Sequence, residues 1–322
     1  MHPHQIAKLT LLLCLPLLFV SCLVRRRMAG PPGAPSNGPL LTATKDDLIA
    51  RVHSISDPLQ SFLMRMNISP SVGSLYEGEI KDYATLGGYI LFQKPDTMRI
   101  VGLDPVMHMT IFDMVSSGDE FRVYIPSKNQ FIEGRNSVAG DRNNQLTTPP
   151  NSKIERLRPA AFLTSLLINP PDPATDVTLL EEDTTAGQAT YILLLLRRDP
   201  YLRLTRSLYF DRHDLQIVRQ KIFDISGSVV SDTMYSDWRR YAGIAFASTI
   251  DIQRPQDNYE VQLTVKSMTM NSTDVTPEKF ILKQPQGSEL KHLSILPWLP
   301  GRGPWRARPR FIHAGQSPNQ TQ

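Results

Sequence analysis

Cysteine is nearly absent from this chain of 322 residues: there are two, Cys14 and Cys22. Cys14 falls inside an apolar leader, so Cys22 is the only sulfhydryl expected once that leader is cut away. A disulfide within the mature chain is thereby excluded, as is a thiolate metal cage or a Cys nucleophile. Enzyme signatures are missing too, with no G-x-S-x-G, no H-E-x-x-H and no P-loop. No apolar run beyond Cys22 approaches the roughly 20 residues of a membrane-spanning helix. Charge is modest, at 20% of residues and a net +4, and gives no reason to expect a nucleic-acid partner.

What is present at the start has the layout of an export signal. Lys8 precedes the apolar run Leu9 to Val20, interrupted by Pro16. The run is of signal-core length and too short to span a bilayer. At its end, Leu18-Phe19-Val20-Ser21-Cys22 resembles the lipobox of bacterial lipoproteins, with Phe19 where Leu is commonest. The resemblance implies a diacylglyceryl thioether on Cys22, cleavage after Ser21, and attachment to a membrane through the acyl chains. Leu23 follows the lipidation site rather than an Asp, which in that class favours the outer membrane, facing the periplasm. An ordinary signal peptide with a chance Cys is the alternative.

Four regions follow. Residues 1–21 are the signal and 22–43 a lipidated Cys with an Arg/Pro/Gly tether. Residues 44–290 form the folded domain, and 291–322 a basic, Pro- and Trp-containing tail expected to be disordered. Arg25 to Arg27 either touch anionic headgroups or form a solvated charge run. In the tail, Trp298 and Trp305 beside Arg302, Arg306, Arg308 and Arg310 either lie at a membrane interface or in plain unstructured chain. Thr44 is a candidate N-cap for KDDLIARVHSI, where Leu48, Val52 and Ile55 share a helical face. From residue 58 to about 135 the apolar period drops to two, in short runs closed by Gly, Pro, Asp or Asn. A second helical stripe, Phe162, Leu163, Leu166 and Leu167, follows a polar stretch at 136–157, and strands then resume.

Two local motifs carry a family resemblance. Gly88-Tyr89-Ile90-Leu91-Phe92-Gln93-Lys94-Pro95-Asp96-Thr97-Met98-Arg99 is similar to the strand–turn–strand motif of LolA/LolB-like lipoprotein carriers. Ser117-Gly118-Asp119 followed by Tyr124-Ile125-Pro126 resembles the hairpin that comes next, and Leu208 to Arg219 is a weaker echo. The resemblance implies a mainly β protein with a few helices (α+β): a strongly curved, incompletely closed antiparallel β-barrel covered by helices. It implies a non-enzymatic carrier of lipid or lipoprotein acyl chains, and for Arg99 the role of a lid latch. The protruding apolar loop of the family's membrane-anchored receptor half has no evident counterpart in the sequence.

A concave apolar sheet suits such cargo. Burying a CH₂ group is worth about 0.8 kcal/mol, so a chain of about fifteen carbons gains on the order of 12 kcal/mol. Alternating residues that would line it are Tyr89 and Leu91, Met98 and Ile100, Met107, Met109 and Ile111, and Phe121, Val123 and Ile125. The opposite faces, Ile90/Phe92 and Phe112/Met114, are apolar as well, so the inward face stays open, as does a self-filled barrel core. Asp211, His213 and Asp214 form the one compact metal-like cluster, at a turn where such residues are common; neither metal nor cofactor is expected. A scaffold lipoprotein that binds envelope proteins without lipid cargo is the alternative function.

Overall fold

The computed structural model describes residues 25–27, 39–74, 79–136, 159–184, 189–198 and 200–293. Cys22, the signal segment, the polar stretch 137–158 and the tail from 294 lie outside the described residues. Arg25–Arg27 (β1) pairs antiparallel with Glu79–Asp82 (β3). Helix α1 covers Lys45–Ser56, and its first turn has the expected cap: the Thr44 hydroxyl accepts from Asp47 N–H while the Asp47 carboxylate accepts from Thr44 N–H. Leu48, Val52 and Ile55 are buried as their spacing predicts.

Ser61–Ser74 (β2), Leu86–Gln93 (β4), Thr97–Leu103 (β5), Thr110–Ser117 (β6), Glu120–Ile125 (β7) and Gln130–Arg135 (β8) make an antiparallel meander. Helix α2 covers Pro159–Leu166. After it come Asp176–Asp183 (β9), Thr190–Arg198 (β10), Leu202–Asp211 (β11), Ile217–Phe223 (β12), Val229–Tyr241 (β13), Ile244–Arg254 (β14) and Tyr259–Met270 (β15). A 3-10 turn at Pro277–Phe280 precedes Glu289–Leu293 (β16), which pairs parallel with β8 and carries the folded domain slightly past residue 290. The domain also begins slightly before residue 44, because Leu41 N–H donates to Arg212 C=O and Ala43 is buried.

All strands share one sheet, ordered β16-β8-β7-β6-β5-β4-β2-β15-β14-β13-β12-β11-β10-β9, with β3 on β2 beside this path. β9 and β16 are its two ends, and they do not pair, so the sheet is not closed into a barrel. It is nevertheless strongly curved. Helix α2 packs against β6 as well as β13 and β14. A flat sheet would hold β6 and β13 apart by six strand spacings, about 29 Å, and a helix about 10 Å wide spans them only if the sheet curls around it.

Curvature gives the sheet an inner and an outer face. The inner face and both helices form one large apolar cluster, from Phe62, Met64 and Met66 across to Leu193, Leu208, Phe210, Ile250 and Leu263. A separate cluster on the outer face joins Leu91, Val115 and Phe131 to Val275, Phe280 and Leu282 from the segment around the 3-10 turn. Double-sided apolarity in β4 to β8 thus has a physical origin: one face meets helices, the other meets the C-terminal segment. Among the described residues no helix is long and apolar enough to cross a membrane.

Candidate functional site

The expected lining divides between the two faces and one turn. Ile90 faces Ile100, and Phe92 faces Met98, across β4–β5, placing Met98 and Ile100 inside. Val123, opposite Met114, and Phe121, opposite Ser116, join them. Tyr89 and Leu91 alternate with Ile90 and Phe92 and so lie outside, with Leu91 directly opposite Arg99. Neither belongs to the inner cavity. Ile111 is the extra residue of a bulge between β5 and β6 and is half-buried.

Met107 and Met109 are not on a strand at all. Residues 104–109 form a tight turn in which Asp104 Oδ1 accepts from Val106 N–H and Met107 N–H, while Asp104 N–H donates to Met109 C=O. Those bonds, which also hold the Asp104 carboxyl below its usual pKa, replace the sheet ladder and break the alternation. Val106, Met107 and Met109 consequently project into solvent, 81%, 70% and 60% exposed.

Arg99 lies on the outer face, away from the helices. Its Nε and Nη2 donate to both carboxylate oxygens of Asp113 at 2.9 and 2.6 Å, and Nη1 donates to Lys279 C=O at 2.8 Å. The Asp113 hydrogen bonds raise the guanidinium pKa, and burial beside the pair raises that of Tyr89. The held element is the 3-10 turn, which presses Phe280 onto Leu91 and Val115. Asp211, His213 and Asp214 act as turn residues: Asp211 Oδ1 meets both His213 N–H and Nδ1, and Asp214 Oδ1 accepts from Gln216 N–H.

A cleft opens on the inner face. It opens between the end of α1 (Ile55, Ser56, Leu59), the chain leaving α2 (Leu166 to Asn169) and a floor of Tyr235, Phe246, Ala247 and Ile250. Lys94 borders it, with Nζ donating to Ser56 C=O at 2.7 Å. Its volume of about 20 Å³ admits little more than one water molecule. Helices fill the rest of the concavity.

The two helices are seated differently. Beneath α1 the contacts are apolar except at its last residue, where Lys94 holds Ser56 C=O. Beneath α2 buried Leu163 and Leu166 are joined by polar bonds: Tyr235 Oη donates to Ser165 C=O at 2.8 Å, Gln220 Nε2 to Thr164 C=O at 2.9 Å, and the Ser165 and Ser231 hydroxyls meet at 2.7 Å. Burial raises the Tyr235 pKa steeply, so its hydroxyl stays protonated and available as a donor. Gln220 is fully buried, yet its Oε1 has no partner among the described residues. Sequence reading missed this group. Its only trace is the polar residues Gln220, Ser231 and Thr233 at positions where neighbouring strands carry Leu208, Ile250 and Ile252.

No family model matches the chain, and no curated protein matches it by sequence. Among solved structures it is similar to a LolA superfamily protein from Nitrosomonas europaea, at 14% identity and a TM-score of 0.46 over 75% of this chain and 99% of that one. A DUF1329 family protein from Desulfovibrio piger is similar at 14% identity and a TM-score of 0.45, covering 73% and 97%. An outer membrane lipoprotein-sorting protein domain from Vibrio parahaemolyticus follows at 12% and 0.45, covering 72% and 94%. The likeness is one of fold.

Proposed function

We propose that the chain is a lipid-anchored envelope protein, held at the outer membrane through Cys22, that binds an acyl chain reversibly between its curved sheet and its helices. The reading is of a binding protein and not an enzyme. One observation carries it: the inner face is a broad, largely apolar surface covered by short helices that leave a cleft at their junction.

Magnitudes favour exchange over simple filling. Lifting α2 with its trailing chain uncovers Leu163, Leu166, Leu167 and Ile168, at roughly 1.5–3 kcal/mol each. A chain of about fifteen carbons returns about 12 kcal/mol. That offsets displacing one helix but leaves nothing for displacing both, so loading is reversible. The test is saturable uptake of a fluorescent fatty acid by the intact chain, with Ala247→Phe as a cleft-filling variant. One-to-one uptake abolished by the filled cleft is the expected result; no uptake by the folded protein would overturn the reading.

The exposed Val106, Met107 and Met109 favour a second reading, a scaffold for envelope proteins. A stoichiometric complex that survives Ala247→Phe but is lost in Met107→Ser/Met109→Ser would support it.

A further inference from the structure

Arg206 is the odd residue of the inner face. It stands opposite Leu195 on β10 and Ile222 on β12, in line with the apolar cluster that includes Leu193, Leu208 and Phe210. It is partly buried, and its one hydrogen bond runs from Nη2 to Pro170 C=O at a long 3.5 Å. No carboxylate lies within ion-pair distance of it among the described residues, whereas Arg99, Arg197, Arg212, Arg219 and Arg254 each have one. Loss of water around the guanidinium lowers its pKa, with Asp176 and Tyr235 acting from farther away to raise it. A guanidinium carries five N–H donors, so most of this one's capacity is unused.

Its position relates to the cleft. Pro170 directly follows the cleft-lining stretch Leu166 to Asn169, and Tyr235 on the cleft floor senses the charge of Arg206. Around it stand the polar groups under α2, with Gln220 Oε1 unsatisfied. The inner face is therefore itself amphipathic: apolar on β2, β4 to β8 and β15, whereas β11 to β13 set Arg206, Gln220, Ser231 and Thr233 among apolar Leu208, Phe210 and Ile217. An unpaired charge partly withdrawn from water is unfavourable until an anion reaches it.

We propose that Arg206 receives the anionic head of an amphiphile, a carboxylate or phosphate, whose apolar chain lies along the inner face. This rests on the acyl-chain reading above and specifies its cargo as charged rather than neutral. Guanidinium matches either oxyanion in a two-pronged geometry, and lifting α2 exposes the hydroxyls of Ser231, Thr233 and Tyr235 beside it.

The experiment compares oleate, oleyl alcohol and inorganic phosphate as ligands of the intact chain and of its Arg206→Gln and Arg206→Lys variants. Oleate is expected to bind at least about tenfold more tightly than oleyl alcohol, as one charge-assisted contact implies. Arg206→Gln should reduce that ratio to near one while leaving oleyl alcohol unchanged, and Arg206→Lys should retain part of it. Without ligand, Arg206→Gln should melt no lower than the parent, since it removes an unpaired charge. Equal binding of the two amphiphiles by the parent overturns the proposal and leaves the acyl-chain reading standing; binding of neither overturns both. Two further outcomes also overturn it: phosphate binding without any oleate preference, which marks a free-anion site, and equal loss of both amphiphiles with a lowered melting temperature, which marks a purely structural arginine.

Discussion

The two halves of the sheet solve the same packing problem with different chemistry. From β2 to β8 the inner residues include Met64, Met66, Ile90, Phe92, Met98, Ile100 and Met114, all buried and none able to hydrogen-bond strongly, with buried Ser116 a polar exception. Four of the seven are Met, whose flexible thioether adapts to changing neighbours. Across β11 to β13 the corresponding positions hold Arg206, Gln220, Ser231, Thr233 and Tyr235. The outer faces differ in the opposite sense. Outside the first half, Leu91, Val115 and Phe131 are covered by the C-terminal segment, whereas the second half shows solvent the ion pair Arg219–Asp232, with Arg219 and Lys221 over the Tyr209 ring. The first half is thus a core sealed on both sides. The second is a one-sided sheet whose helix cover is held by a few directional bonds, and such cover opens more readily than close-packed apolar cover.

The sharpest way to break this contrast is to excavate the sealed half. Phe92→Ala removes a fully buried ring packed at a tilt 5.2 Å from Phe62, and should cost about 3–5 kcal/mol in urea denaturation. A cost near 1 kcal/mol would mean that this half is loosely filled as well. Overpacking the same half should come next. Adding a Cβ at Gly102 would place it 2.3 Å from the Phe112 ring, so Gly102→Ala should cost about 1–3 kcal/mol by the same measurement.

Arg99→Ala should cost about 1–3 kcal/mol, because Asp113 loses a two-pronged partner and Lys279 C=O its donor. Its signature should be local: amide exchange should accelerate at 275–282 and stay unchanged in α2. In the second half, Gln220→Met should cost only about 1 kcal/mol globally while accelerating exchange across 159–166, since it removes the bond to Thr164 C=O. Equal acceleration in α1 would erase the distinction between the two helix seats.

The smallest effect is one of pH. Asp224 accepts from Ser226 Oγ and N–H, Ser228 N–H and Gln256 Nε2, which hold its pKa well below the usual carboxylate value. The shift is downward in the folded state, so its stabilisation is complete above the unfolded-state value near 4 and is lost as pH falls below it. Asp224→Asn should therefore lower stability at pH 7 and flatten the acid limb of the denaturation profile between about pH 4 and pH 2.

Local signals were legible wherever one residue's chemistry decides its own backbone. The Thr44–Asp47 cap, the α1 stripe, the α2 stripe and the Ser117-Gly118-Asp119 turn can all be read without the fold. Met107 and Met109 were misread because alternation alone does not distinguish a strand from a turn whose ladder bonds have been taken over by Asp104. Tyr89 and Leu91 were grouped with Met98 and Ile100 because both faces of β4 are apolar; only the pairing Leu91–Arg99 and Phe92–Met98 separates them. Arg206 was invisible for a related reason, since a lone arginine in a strand reads as solvent-facing until its neighbours are known.

From residue order alone came the expectation of a leader ending before Cys22, the paucity of thiols, the two helices and the mainly β class, because each depends on residues only a few positions apart. Which face of each strand turned inward, what covered it, and the meeting of Arg206, Gln220 and Tyr235 with the chain around Ser165 and Pro170 were decided by curvature. A sheet bent until β6 and β13 touch one helix brings together residues more than a hundred positions apart, and no local pattern encodes that closure.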